Sequence, residues 1–86
     1  ILMNQVVNEP VDVTVKYKGT KLHIKKFKKG QTKYIVSKMG NHWIERIGGN
    51  IITHYAIICE RQGISGELSH NHILNKWLLV QFDILE

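Results

Sequence analysis

The sequence predicts an all-β fold, a small and partly open antiparallel barrel of the SH3-like or OB-like kind, with six to seven short strands. Three observations carry this. Runs of β-branched and aromatic residues recur about every ten positions, separated by turn signals. One run, Ile51 to Cys59, holds four isoleucines, a Thr and a Tyr, which are poor helix residues and good strand residues. Finally, 86 residues at 43% hydrophobic content suit one core and no more. A nearly closed barrel leaves such a short chain few edges to protect.

Taken in order, residues 1–9 read as a lead-in, with Val6 and Val7 available to cover an edge, and 10–86 as a single β domain. Pro10 stands at a strand start, where no amide donor is needed. Val11 to Lys18 alternates, with Val11, Val13, Val15 and Tyr17 on the core side and Asp12, Thr14, Lys16 and Lys18 outside. Lys18 to Lys21 reads as a tight hairpin turn, after which Leu22 and Ile24 share the core face. Strict alternation would then place Lys26 and Lys28 inside, and the cost of burying unpaired charge forbids that. Three outcomes stay open: the strand ends near Lys25, a bulge turns Phe27 inward, or Phe27 stays outside with His23, Lys25 and Lys29.

Lys29-Gly30-Gln31 is the next turn and Lys33 to Lys38 a third strand, ended by Gly40-Asn41. His42 to Ile47 is read as a short strand. Ile51 to Cys59 has apolar residues on both faces, which predicts a central strand covered on each side. Ile64 to His70 reads as an edge strand and Asn71 to Asn75 as a loop or a single helical turn. Lys76 to Leu85 closes the domain, with Leu78, Val80, Phe82 and Ile84 on one face and Trp77, Leu79, Gln81 and Asp83 on the other.

Charge is the most informative property. The net is +5, but nine lysines and no acid lie between Lys16 and Lys38, leaving three basic residues against all seven acids elsewhere. Such asymmetry predicts a polyanion or an acidic protein surface as partner. Lys16, Lys18, Lys25, Lys28 and Lys33 are the expected phosphate contacts, and Phe27 or Tyr34 the platforms for base stacking, as OB folds hold single strands. Lysine in preference to arginine suits backbone contact rather than base reading. The plain alternative is a solvated face that protects strand edges.

Little else points to chemistry. His70 and His72 would share a strand face, and a metal would need His54 or Glu67 as well, a spacing that matches no closed zinc pattern. His54, amid apolar neighbours, is expected to bond a backbone group. Neither a nucleophile elbow nor a phosphate-cradling glycine loop occurs, and Glu67, Ser69 and His70 lie too close in sequence to converge as a triad. No catalytic residue, metal or cofactor is expected. Cys59, the single cysteine, sits in the most apolar run as a small core residue, which fits a reducing, cytoplasmic setting. No apolar stretch approaches the ~20 residues that cross a bilayer. Of Trp43 and Trp77, one is expected in the core and the other at the surface.

Val11–Gly19 with Lys21–Phe27, then Trp43, the Ile52–Cys59 run, Glu67-Leu68 and Trp77-Leu78-Leu79 through Asp83, resemble in order the DUF6504 group of small uncharacterised bacterial β domains. The resemblance spans residues 9–83. Members of that group are arginine-rich in the first half, where this chain is lysine-rich. Some are encoded beside error-prone DNA polymerases, so the resemblance implies a nucleic-acid setting and no activity.

The resulting expectation is a non-enzymatic module that binds DNA or RNA through its lysine-rich hairpin. The alternatives are a protein-interaction module, for instance of phage or mobile-element origin, that docks its basic face on an acidic partner, and a homo-oligomer joined through the apolar faces of the 51–59 and 76–85 strands.

Overall fold

The computed structural model describes residues 5–85, as eight strands: β1 (Gln5–Pro10), β2 (Asp12–Lys18), β3 (Lys21–Lys29), β4 (Thr32–Ile35), β5 (Lys38–Ile47), β6 (Asn50–Cys59), β7 (Ile64–Asn71) and β8 (Lys76–Ile84). They form a five-stranded sheet in the order β1-β8-β7-β6-β5 and a three-stranded sheet in the order β2-β3-β4. Every pairing is antiparallel. The all-β class is as the sequence predicts, with eight strands rather than six or seven.

Two corners join the sheets and give the barrel its partly open form. Pro10 pairs with Leu78, the Val11 amide donates to the Trp77 carbonyl at 3.1 Å, and Asp12 already pairs with Lys28 of the other sheet. At the second corner the Val36 amide bonds the Lys25 carbonyl of β3 and the next amide, Ser37, bonds the Ile58 carbonyl of β6. The Ser37 hydroxyl also donates to Ile58 O and accepts from the Glu60 amide, so this corner has its own lock.

The β2–β3 hairpin follows its sequence pattern. Lys18 pairs with Lys21 across Gly19-Thr20, and Gly19 takes φ +66°, a conformation that glycine adopts without steric cost. Of the three outcomes left open for β3, the bulge is the one found. Val15 pairs with Ile24 and Thr14 with Lys26, so Lys25 is the extra residue. Beyond it Phe27 faces inward and is fully buried, stacked on Tyr34 with ring centroids 4.9 Å apart. The energetics explain the choice. Burying a Phe contributes ~1.5–3 kcal/mol, whereas continued alternation would expose it and bury two lysines at several kcal/mol each.

The core comprises Val11, Ile24, Phe27, Ile57, Cys59, Ile64, Leu68 and Leu79. A second bulge, in β8, changes which residues reach it. Glu67 pairs with Gln81 and Leu68 with Leu79, leaving Val80 unpaired and reversing the alternation. Trp77, Leu79 and Phe82 therefore pack on the core, against the expected grouping of Trp77 and Leu79 with Gln81 and Asp83.

Other expectations are corrected as well. Residues 5–9, read as lead-in, belong to β1, which pairs with the outer edge of β8; residues 1–4 lie outside the described residues. Gly40-Asn41 is a bulge inside β5, not a turn. The supposed edge strand, Ile64 to His70, is β7, at the centre of the five-stranded sheet, and the supposed central strand β6 lies one place from the edge. The inner face of β6 carries the buried Thr53, Ile57 and Cys59, while Ile52, Ala56 and Ile58 on its outer face are only half-buried. Both β6 and β8 have strands on each side.

Candidate nucleic-acid interface

Eight of the nine clustered lysines lie on the three-stranded sheet. Strand register sorts them by face. Lys16 pairs with His23, Lys18 with Lys21, Thr14 with Lys26, Asp12 with Lys28, and Lys28 with Lys33. Since Phe27 and Ile24 point inward, these residues point outward. Lys25, displaced at the bulge, lines a shallow dent with Lys16, Lys18 and His23. All five lysines expected to meet phosphate (Lys16, Lys18, Lys25, Lys28 and Lys33) thus share one exposed surface. Lys29 is the exception. It turns back to Glu9 at 3.9 Å and lies over the Phe82 ring, 5.6 Å from its centroid.

The expected stacking platforms are not on that surface. Phe27 is 0% exposed and offers no ring face to a base. Tyr34, its stacking partner, is half-buried against the core. Tyr17, expected in the core, is 67% exposed instead. The hairpin runs out beyond the core, so its last inward-facing pair, Tyr17 and Leu22, overhangs the end of the barrel.

Beneath that overhang the five-stranded sheet carries a continuous row of rings. His42 stacks on Tyr55 (6.2 Å between centroids), Tyr55 on Trp77 (5.8 Å) and Trp77 on His70 (4.3 Å, interplanar angle 6°), and His72 meets His70 edge-on at 4.6 Å. Polar anchors hold the row in place. Thr53 Oγ1 and His72 Nε2 are 2.7 Å apart, and His70 Nε2 donates to Asn75 Oδ1 at 3.1 Å. Burial pushes the Tyr55 hydroxyl upward from its ordinary pKa; the nearby Tyr17 hydroxyl adds to the shift, and a hydrogen bond with Thr53 opposes it. Between hairpin and row lies a cleft of about 590 Å³, lined by Thr20, Lys21, Leu22, His23, Met39, Gly40, His42 and Tyr55. No carboxylate is among its lining residues. On its hairpin side Lys21 and His23 adjoin the lysine surface through their partners Lys18 and Lys16, and on its sheet side lie His42 and Tyr55.

The sequence did not disclose this row, because its rings come from four separate segments. The one visible signal was the shared strand face of His70 and His72.

The opposite, outer face of the five-stranded sheet has different chemistry. His54 lies between two carboxylates, Nδ1 2.8 Å from Glu67 Oε2 and Nε2 3.0 Å from Glu45 Oε1, and Trp43 stacks on its ring at 5.3 Å. Gln81 Nε2 donates to the second oxygen of Glu67 at 3.1 Å. The backbone partner expected for His54 is replaced by side chains from the flanking strands. His54 and Glu67 are on the outer face and His70 and His72 on the inner one, so the two pairs do not converge on a metal. Among the described residues no three His, Cys, Asp or Glu side chains group as a metal site. Glu67 and Ser69 likewise face away from His70. Cys59 is buried, and burial pushes its thiol up to about 11, far from a reactive thiolate. Of the tryptophans, Trp43 is the exposed one, at 45%, and Trp77 is half-buried against the core. No helix among the described residues is long and apolar enough to cross a membrane.

No protein-family model, no curated protein and no solved structure matches the chain.

Proposed function

We propose that the chain is a non-enzymatic module that binds single-stranded nucleic acid across the end of the β2–β3 hairpin. The backbone follows Lys16, Lys18, Lys25, Lys28 and Lys33, and bases enter the cleft to stack on Tyr17, His42 and Tyr55. The single observation that supports this best is the meeting of the lysine-lined hairpin end (Lys16, Lys18 and Lys25) with an aromatic cleft that has no acid in its lining. Each part has its own physics: lysines neutralise phosphate and release counterions, while stacked rings accept any base. The resemblance to the DUF6504 group points to the same setting, and a lone buried cysteine suits a reducing cytoplasm.

The test is fluorescence anisotropy of labelled single-stranded DNA, RNA and duplex DNA. Tyr17→Ala should weaken single-strand binding about 5- to 150-fold, the span that corresponds to the ~1–3 kcal/mol of one base–aromatic stack. It should leave the melting temperature unchanged, because the ring is exposed. The double substitution Lys25→Glu/Lys28→Glu should abolish binding with the fold intact. If both variants bind as the parent does, the reading is wrong, and the lysine surface is then to be tested against acidic proteins.

A further inference from the structure

β5 is an open edge. It ends the five-stranded sheet, and from Gly40 to Ile47 every residue is exposed. Three of these are large apolar side chains, Trp43 at 45%, Ile44 at 60% and Ile47 at 54%. Long apolar edges without proline or inward lysine are templates for pairing with another strand. At the other end of the same sheet β1 is short and carries Pro10 and the positive-φ Asn8, both of which blunt an edge. His42–Ile47 has neither a proline nor a positive-φ residue, and its charges are the single pair Glu45 and Arg46.

We infer that two copies of this chain pair antiparallel through β5, about a twofold axis at Ile44, to give a continuous ten-stranded sheet. The occupant follows from the chemistry of the strand itself. Gly40-Asn41 is bulged, so the regular stretch is His42 to Ile47. A twofold axis perpendicular to the sheet keeps inner residues opposite inner ones, so opposed residue numbers must sum to an even value. Two registers then pair five residues each. One sets Glu45 against the Glu45 of the second copy, like charges face to face, which opposes pairing. The other centres on Ile44. It buries the most exposed apolar residue of the strand against itself, brings the Trp43 indole N–H opposite a Glu45 carboxylate, and opposes no two acids. The stretch carries one Glu and one Arg, so it has no net charge of its own, and the lysine surface that would repel a second copy lies on the other sheet. An edge of this length buries less than a standard interface, so the dimer is weak and concentration-dependent. The inference does not rest on the nucleic-acid reading: none of the phosphate-contacting lysines takes part, and the one shared residue, His42, sits at the end of the paired stretch opposite Arg46 of the second copy.

Sedimentation over a concentration series tests it, with circular dichroism as the control for folding. The chain should shift from 10.0 kDa towards twice that mass as concentration rises, and Ile44→Arg should hold it at the monomer mass. A cysteine at position 44 (Ile44→Cys) should cross-link two copies on oxidation much faster than one at position 45 (Glu45→Cys), and the buried Cys59 does not compete. A monomer at every concentration overturns the inference and leaves the edge to an extended segment of another protein. A dimer that survives Ile44→Arg also overturns it, and faster cross-linking through Glu45→Cys overturns the register.

Discussion

Phe27→Leu separates a core residue from a base-stacking platform, the two roles that a phenylalanine among six nearby lysines could play. The side chain is fully buried and lies 4.9 Å from Tyr34 at an interplanar angle of 15°. Removing a buried Phe side chain to Ala costs ~3–5 kcal/mol, and Leu keeps a little over half of the carbon atoms. The aromatic pair adds ~0.5–1.5 kcal/mol beyond area. Together these give a loss of about 3 kcal/mol, which for a domain under 100 residues lowers the melting temperature by roughly 12–24 °C. Thermal unfolding followed by circular dichroism measures the shift, and anisotropy well below the transition measures binding. Stability should fall while affinity stays within about twofold. An unchanged melting temperature with a loss of affinity would show the ring to be outside, and the placement of the β3 bulge would be wrong.

Three further outcomes follow from the structure. Gly66→Ala should destabilise by ~1–3 kcal/mol, because a Cβ there would sit 2.9 Å from the Gln81 carbonyl oxygen and 3.3 Å from Phe82 Cβ; urea unfolding reads the change. Deleting Lys25 should leave a folded protein, since Val15–Ile24 and Thr14–Lys26 then become consecutive pairs in simple alternation, destabilised by about 0.5–1.5 kcal/mol because the Val36 amide loses the Lys25 carbonyl; a molten or unfolded product would contradict the bulge. The raised Cys59 thiol makes stability fall with pH. The unfolded thiol ionises near 9 and the folded one near 11, so between those values the unfolded state holds fewer protons and gains, by at most ~1.4 kcal/mol per unit. The unfolding free energy of the parent minus that of Cys59→Ala should decline across that window and stay flat below pH 8.

The sequence disclosed the parts of the fold that depend on local alternation. Val13, Val15 and the Gly19-Thr20 turn defined the β2–β3 hairpin, and alternation placed Lys16 and Lys18 on its outer face, while the faces of the β3 lysines beyond Ile24 stayed open. Two single-residue bulges were not legible. Lys25 and Val80 look like ordinary strand residues, and only the energy of the whole sheet decides where an extra residue is absorbed. For that reason Trp77 and Leu79 seemed to face away from the core. β7 seemed an edge because Ser65, Gly66 and Ser69 have little intrinsic strand preference. Its central place comes from partners on both sides, and Gly66 is needed there for close approach to β8. The aromatic row was hidden for a related reason. Each ring is unremarkable in its own strand, and only the pairing of β5 through β8 sets His42, Tyr55, Trp77 and His70 side by side. His54 shows the same limit, since its partners Glu45 and Glu67 come from neighbouring strands.

The most direct test of the account is the salt dependence of binding to a labelled single strand. Five lysines on phosphate at ~0.7 per contact predict that log affinity falls against log salt with a slope of about −3.5. Replacing Lys16 and Lys18 together by Glu should make that slope shallower by about 1.4 or abolish binding altogether. Affinity that ignores salt, a slope unmoved by the double substitution, or no binding at low salt would contradict the account and return the lysine face to an ordinary solvated surface.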